Sequence, residues 1–157
     1  GRIDIRARIP ILKGLATNFW MIGSDMDEVG LPASGEIDIM KHAGRFPDSM
    51  HCGLVYEDEN PATHGKTMQI PDHESLTSSF HIYTVIWEEH RIRWFLDYIP
   101  VFEVERNEFR AFSLFDKPFF FTINLAVGSG FSGLPDEGAS FEGELELDYI
   151  RVYQRDE

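Results

Sequence analysis

The sequence predicts an all-β fold, a sandwich or barrel of about nine short strands. Aromatic residues make up 13% of the 157 residues, with 13 Phe, 5 Tyr and 3 Trp, and such residues favour pleated, half-buried surfaces. Apolar and polar residues alternate strictly near the start of the chain. Stretches rich in Gly, Pro, Asp, Asn and Ser separate the apolar segments, as turns separate strands.

The first predicted strand is the clearest one. Over residues 2–9, four apolar side chains occupy every second position and alternate with Arg or Asp. A period of two indicates an antiparallel strand with one buried face, and Pro10 ends it. The same pattern, less regular, predicts strands over residues 18–24, 35–42, 50–57, 80–88, 91–97, 101–105, 118–127 and 141–153.

Three long connections lie between these strands, at residues 25–34, 58–79 and 128–140. The second is long for a segment without regular structure, so we expect a short strand around residues 67–70 or a part of a site rim there. Residues 105–116 are the only plausible helical turn. With no repeat or linker, residues 1–157 are predicted to form a single domain.

Composition excludes several classes of function. The chain has 14 Lys and Arg against 27 Asp and Glu, a formal charge of −13, which argues against nucleic acid or an anionic membrane as partner. No apolar run approaches the roughly 20 residues of a membrane span. The only cysteine is Cys52, so neither an internal disulfide nor a cysteine-rich metal site is expected. The six histidines lack zinc-site spacing.

Glu36 and Asp38 are the sharpest local signal for chemistry. On a strand, residues two apart point to the same face, about 7 Å apart along the chain. Paired carboxylates of this kind are the machinery of glycosidases, in which one attacks the sugar and another protonates the leaving group. A solvated strand face also carries such pairs, so the pattern alone does not decide.

Three collinear motifs make the chain resemble glycoside hydrolase family 16, and within it the laminarinase-like endo-β-1,3-glucanases. They are LPASGEIDIM at 31–40, FHIYTVIW at 80–87 with IRWFLD at 92–97, and FTINLAVG at 121–128 with LDYIRVYQ at 147–154. The resemblance implies a jelly-roll β-sandwich, concanavalin A-like, with two antiparallel sheets and a glycan cleft on the concave face. It also implies a secreted protein that hydrolyses O-glycosidic bonds of a β-glucan polysaccharide or oligosaccharide.

The resemblance places Glu36 at the catalytic nucleophile and Asp38 at the assisting carboxylate. The family's acid/base glutamate lies five positions after the nucleophile, where this chain has Lys41, and a β-bulge that absorbs Met40 must turn that position back to the same face. Lysine is a poor proton donor at neutral pH and its cation cannot activate water. We therefore expect severely reduced hydrolysis, with Lys41 pairing with the carboxylates and lowering their pKa.

The sequence also allows other interpretations of the same site. A one-residue shift of register would bring a different carboxylate to the acid/base position, for example from residues 25–28. A separate alternative is an active hydrolase of another β-linked glycan, whose catalysis is rescued by a group that the sequence does not reveal. Alternatively, the domain is a non-catalytic β-1,3-glucan recognition module whose cleft still holds sugar.

The resemblance implies further binding residues. Trp20 keeps one aromatic platform of the cleft, with plain core filling as the alternative, while Ala16 replaces a second. Asn124, Phe131 and His51 match substrate-binding positions, although His51 is equally well explained as a strand-face imidazole with no role in binding. No cofactor is required for the chemistry, but family members often hold a structural calcium through the aspartate that corresponds to Asp148.

The resemblance begins about one-third of the way into a typical family domain, so the predicted domain is N-terminally incomplete. A sandwich without the earlier strands exposes strand edges, which invite pairing with another chain. We therefore expect self-association or reduced stability.

Overall fold

The computed structural model describes residues 1–57, 60–70, 72, 74–138 and 142–154. These residues form ten strands and three short helices, which confirms the all-β prediction. The strands are β1 Arg2–Arg8, β2 Leu15–Gly23, β3 Glu36–Ala43, β4 Ser49–Glu57, β5 Pro61–Gln69, β6 His81–Trp87, β7 Arg91–Leu96, β8 Ile99–Glu105, β9 Phe119–Val127 and β10 Glu146–Tyr153. The helices are α1 Met26–Val29, α2 Ser75–Ser78 and a 3₁₀ helix over Arg110–Phe115. None of them is long and apolar enough to cross a membrane.

Two five-stranded antiparallel sheets make the sandwich. The back sheet has the order β10-β1-β6-β7-β8, and the front sheet has the order β5-β4-β3-β2-β9. Strand β6 packs against β3 and β8 packs against β5. The two sheets are therefore stacked strand for strand, with β1 over β2 and β10 over β9. The core lies between the sheets and includes the fully buried Phe19, Ile37, Tyr83 and Trp94.

Alternation explains where the predicted strands are right and where they are wrong. In β1, Ile3, Ile5 and Ala7 point into the core as predicted. Strand β5 spans nine residues, not the short segment predicted at 67–70, because its side chains are mostly exposed and show no apolar alternation. Strand β10 begins at Glu146, later than the predicted start at residue 141, which lies outside the described residues.

Helical structure is confined to short turns. The helical turn predicted within residues 105–116 is the 3₁₀ helix, which buries Phe112 and Phe115 against the core. The four-residue helices α1 and α2 were not predicted, because each is too short to show an apolar period.

Candidate active site

The site lies on the outer face of the front sheet and begins with a bulge in β3. Against β2, Phe19 pairs with Met40 and Trp20 pairs with Asp38, so Ile39 has no partner of its own. Ile39 and Met40 are both buried. A bulge of this kind shifts the alternation by one residue. The predicted bulge is therefore confirmed, but the extra residue against β2 is Ile39 and not Met40.

Because of the bulge, Lys41 shares a face with Glu36 and Asp38. Its Nζ lies 2.5 Å from Glu36 Oε1 and 2.8 Å from Asp38 Oδ2. The Lys41 side chain is 25% exposed, whereas that of Asp38 is 1% exposed. One ammonium group therefore caps both carboxylates from the solvent side.

Burial is the main cause of the shifted pKa of Asp38. Burial raises the pKa of Asp38 well above its usual value, the hydrogen bond with Glu36 raises it further, and the charge of Lys41 only partly offsets both. Lys41 thus lowers the pKa of Asp38 as predicted, but the net shift is upward, since the sequence does not show how deeply that carboxyl is buried.

The ammonium itself holds its proton firmly. Burial by itself would lower the pKa of Lys41, but the charge of Asp38 and the hydrogen bonds to Asp38 and Glu36 outweigh it. The pKa of Lys41 therefore lies above its ordinary value of 10.5. At neutral pH this group is a cation, which neither gives up a proton readily nor accepts one.

A tryptophan of the back sheet holds the bulged strand β3 from the core side. Trp94 Nε1, on β7, donates a hydrogen bond of 2.8 Å to the backbone carbonyl oxygen of Asp38. Trp94 is 1% exposed, so it belongs to the core, and it also positions the site. The sequence gives no signal for this bond, since it joins residues that are 56 positions apart.

The structure does not support the alternative in which residues 25–28 supply the acid/base carboxylate by a shift of register. Asp25 is held by Lys117, whose Nζ lies 2.7 Å from both carboxylate oxygens. The β3 register also has no shift beyond the bulge itself. Among the described residues, the side chain that contacts both Glu36 and Asp38 is Lys41.

Trp20 and Asn124, two of the residues predicted to bind substrate, lie beside this cluster. Trp20 is half-buried on β2, and its Nε1 donates a hydrogen bond of 3.1 Å to Asn124 Oδ1 on β9. The Nζ of Lys41 lies 5.8 Å from the centre of the Trp20 ring. The partial exposure of the ring leaves it accessible to a ligand, although it is also packed into the sheet.

On the other side of Lys41 is a cavity of about 230 Å³. It is lined by Lys41, Ala43, Phe46, Ser49, His51, Thr67 and Phe131. The predicted residues His51 and Phe131 thus meet here, and His51 Nδ1 lies 3.2 Å from Thr67 Oγ1. Burial, and secondarily the charge of Lys41, lowers the pKa of His51.

Phe46 is a site residue that the sequence reasoning missed. It lies in the turn between β3 and β4, is half exposed, and carries the Arg45 guanidinium 4.7 Å from its ring centre. A large aromatic side chain within a polar turn was the available signal. Phe46 and Phe131 give the cavity two aromatic walls.

Asp148 lies on β10, away from this cluster. Its carboxylate is 2.5 Å from Arg6 Nη1, and among the described residues no group of three or more His, Cys, Asp or Glu side chains is placed to hold a metal ion. Calcium takes six to eight oxygen ligands, so the side chains around Asp148 do not fit it by themselves. A structural calcium at Asp148 stays a prediction.

Comparisons with known proteins agree with this architecture. The sequence profile of Glycosyl hydrolases family 16 matches residues 1–151. The chain is 32% identical to glucan endo-1,3-beta-glucosidase A1 of Niallia circulans, over 98% of this chain and 24% of the relative. It is 29% identical to the clotting factor G alpha subunit of Tachypleus tridentatus, over 98% of this chain and 23% of that subunit.

Among solved structures, the laminarinase catalytic domain from Thermotoga maritima superposes with a TM-score of 0.90 at 33% identity. The match covers the whole of this chain and 64% of that one, so the chain spans less than two thirds of the length of these relatives. The likeness shows a jelly-roll β-sandwich. The chain belongs to glycoside hydrolase family 16, as a laminarinase-like domain.

Proposed function

We propose that the domain binds β-1,3-linked glucan along the outer face of the front sheet and hydrolyses it only weakly. One observation carries the proposal: the Nζ of Lys41 lies 2.5 Å from Glu36 and 2.8 Å from Asp38. The family assignment supports the ligand class, because relatives of this chain are named as glucan endo-1,3-beta-glucosidase and laminarinase.

Retaining hydrolysis needs two carboxyl groups about 5 Å apart. In this proposal Glu36 is the nucleophile that attacks the anomeric carbon, and the group at position 41 must protonate the departing oxygen and then deprotonate a water molecule. The raised pKa of Lys41 makes it a weak acid for the first step. Since it is a cation, it is no base for the second.

The ion pair also hinders the nucleophile. Lys41 Nζ holds Glu36 Oε1 at 2.5 Å, so this oxygen is engaged by a cation. A carboxylate that is stabilised by a neighbouring cation attacks less readily, because the transition state removes part of its negative charge. Both effects lower the rate of bond cleavage without removing the surface to which a glucan binds.

Aromatic faces on both sides of Lys41 support the binding part of the proposal. Trp20 lies on one side of the ammonium, and Phe46 and Phe131 line the cavity on the other. The apolar face of a sugar ring packs on such aromatic side chains. Asn124, beside Trp20, supplies polar atoms for hydroxyl groups.

Two assays in parallel test the proposal: sedimentation with insoluble β-1,3-glucan, and release of reducing ends from laminarin. We expect the protein to sediment with the glucan and to release few reducing ends. Trp20→Ala should weaken sedimentation at least tenfold, whereas Tyr98→Ala, an exposed aromatic in the turn between β7 and β8, should not. Failure to sediment, or equal loss in both variants, would refute the binding claim.

A recognition module without any hydrolysis is the second candidate. The Lys41 ion pair favours it too, because an ammonium group and not a carboxyl group occupies the position that the family resemblance assigns to the acid/base residue. A secreted location forms part of either proposal, since the family resemblance implies it. A complete lack of reducing-end release, even after prolonged incubation with bound laminarin, would select the recognition module.

A further inference from the structure

The ammonium group of Lys41 is a poor donor of a proton to a departing oxygen, but this matters only for leaving groups that need a proton. A sugar alcohol hardly leaves as an alkoxide, whereas an acidic phenol leaves readily as an aryl oxide anion. The acidity of the leaving group therefore decides whether a glycoside is cleaved at this site. This inference rests on the proposed role of Glu36 as the nucleophile.

Lys41 loses its main anionic partner when Glu36 reacts. Before the reaction, Lys41 Nζ lies 2.5 Å from Glu36 Oε1 and 2.8 Å from Asp38 Oδ2. Attack on an anomeric carbon turns the Glu36 carboxylate into a neutral ester, so the summed charge of the three side chains rises by one unit. Asp38 compensates little, because its raised pKa favours the neutral form. Since the Lys41 side chain is only 25% exposed, its unpaired charge attracts a small anion from solution.

The cavity beside Lys41 suits an aromatic leaving group. Its volume is about 230 Å³, and a cavity of about 150 Å³ already holds a benzene molecule. Phe46 and Phe131 supply two aromatic walls, and aromatic rings attract one another in offset-stacked or edge-to-face arrangements. The lining residues Ser49 and Thr67 add hydroxyl groups for polar ring substituents.

His51, the imidazole in this cavity, is turned away from Glu36. Its Nδ1 lies 3.2 Å from Thr67 Oγ1 on β5, and a Cβ added at Gly65, also on β5, would lie 2.9 Å from its Nε2. Strand β4 separates β5 from β3, which carries Glu36. Asp38 is 1% exposed and does not meet bulk water. Among the described residues, neither group is placed to deprotonate a water molecule at a Glu36 ester, so we expect the ester to persist.

We propose that the site cleaves β-glucosyl groups from acidic phenols and keeps the sugar as an ester of Glu36 until a small anion removes it. In the first step a Glu36 oxygen bonds to the anomeric carbon, the bond from that carbon to the aryl oxygen breaks, and the aryl oxide leaves with the electron pair. In the second step an anion held beside Lys41 attacks the same carbon, and the electron pair of the ester bond returns to Glu36. No proton moves in either step, and the two inversions restore the β configuration.

Dinitrophenyl β-laminaribioside tests the first step, and phenyl β-laminaribioside is the matched donor whose phenol is only weakly acidic. We expect a burst of one dinitrophenolate per chain, no release of phenol, and an intact-protein mass raised by one laminaribiosyl group on the peptide that contains Glu36. Glu36→Gln should abolish the burst. Phe46→Ala should raise the donor concentration for the half-maximal burst rate at least about tenfold, whereas Tyr98→Ala, in the turn between β7 and β8, should not.

Sodium azide tests the second step. Azide should speed the slow release after the burst at least about tenfold and yield β-laminaribiosyl azide, and Lys41→Gln should need at least about tenfold more azide for the same effect. Methanol, a neutral nucleophile that must lose a proton, should have no effect on the wild type at the same concentration.

Several results would overturn the proposal: no burst, equal release from the two donors, acceleration by methanol, or an azide effect that is unchanged in Lys41→Gln. Sedimentation with insoluble glucan measures binding alone. A protein that sediments but gives no burst therefore contradicts only this inference, whereas one that gives a burst without sedimenting contradicts only the proposed binding to glucan.

Discussion

Replacing Lys41 by glutamate should create hydrolytic activity. Lys41 Nζ lies 2.5 Å from Glu36 Oε1, and glutamate is one bond shorter than lysine, about 1.3 Å. A carboxyl group at position 41 would therefore lie about 4 Å from Glu36, close to the separation of about 5 Å in retaining glycosidases. General acid/base catalysis contributes about 10²–10⁴-fold, equivalent to about 3–5 kcal/mol of activation free energy.

The assay is reducing-end release from laminarin by wild type, Lys41→Glu and Lys41→Gln. Lys41→Gln frees Glu36 from the ammonium without supplying an acid. Comparing the two variants therefore separates the effect of freeing the nucleophile from the effect of adding an acid/base group. Both variants lose a partly buried ion pair, at about 2 kcal/mol of unfolding free energy, and thermal unfolding checks that they stay folded. A folded Lys41→Glu variant no more active than wild type, or a Lys41→Gln variant equally active, would refute the reasoning.

Three further predictions follow from the buried groups around Lys41. The pKa of Cys52, raised to about 12 by burial and by Asp38, should make its thiol react at least about 100-fold more slowly with a thiol reagent at pH 8 in the folded than in the unfolded protein; equal rates would contradict this. In Lys41→Gln, NMR should show the pKa of His51 rising toward 6.5 but staying below it, because burial is the larger cause of its lowering and persists; no rise would contradict the effect of Lys41. Because the pKa of Asp38 is raised in the folded protein, this group stabilises the fold at pH values below its pKa in the unfolded chain, near 3.8. The contribution is lost as the pH rises through the pKa of Asp38 in the folded protein. Removing the Lys41 charge raises that pKa further, so denaturant unfolding should show Lys41→Gln losing more stability at pH 7 than at pH 4; a loss independent of pH would contradict it.

A local pattern made the strands predictable, and the family resemblance made the bulge predictable. The alternation in β1 depends on one buried face, which the sequence shows directly as a period of two. The bulge was predictable through the family resemblance, which implies that positions 36 and 41 share a face, because residues five apart cannot do so without an extra residue. Glu36 and Lys41 are five apart and do share one.

Features that depend on tertiary burial or long-range contact were not predictable. The length of β5 is hidden because its exposed side chains impose no alternation. The pKa of Asp38 is raised because its side chain is only 1% exposed. The sequence shows which residues are its neighbours along the chain but not how deeply it is buried. The bond from Trp94 to Asp38 joins two sheets, and Phe46 meets Phe131 only because two separate connections approach each other.

Proton NMR of the wild-type protein with laminaritetraose tests the central claim most directly, since one sample reports both occupancy and cleavage. The Trp20 indole NH signal should shift on titration, while the reducing-end anomeric signals of the sugar keep a constant intensity over hours. Growth of new anomeric signals within minutes would contradict the account, because it would mean that a working acid and base lie beside Glu36 despite the Lys41 ammonium.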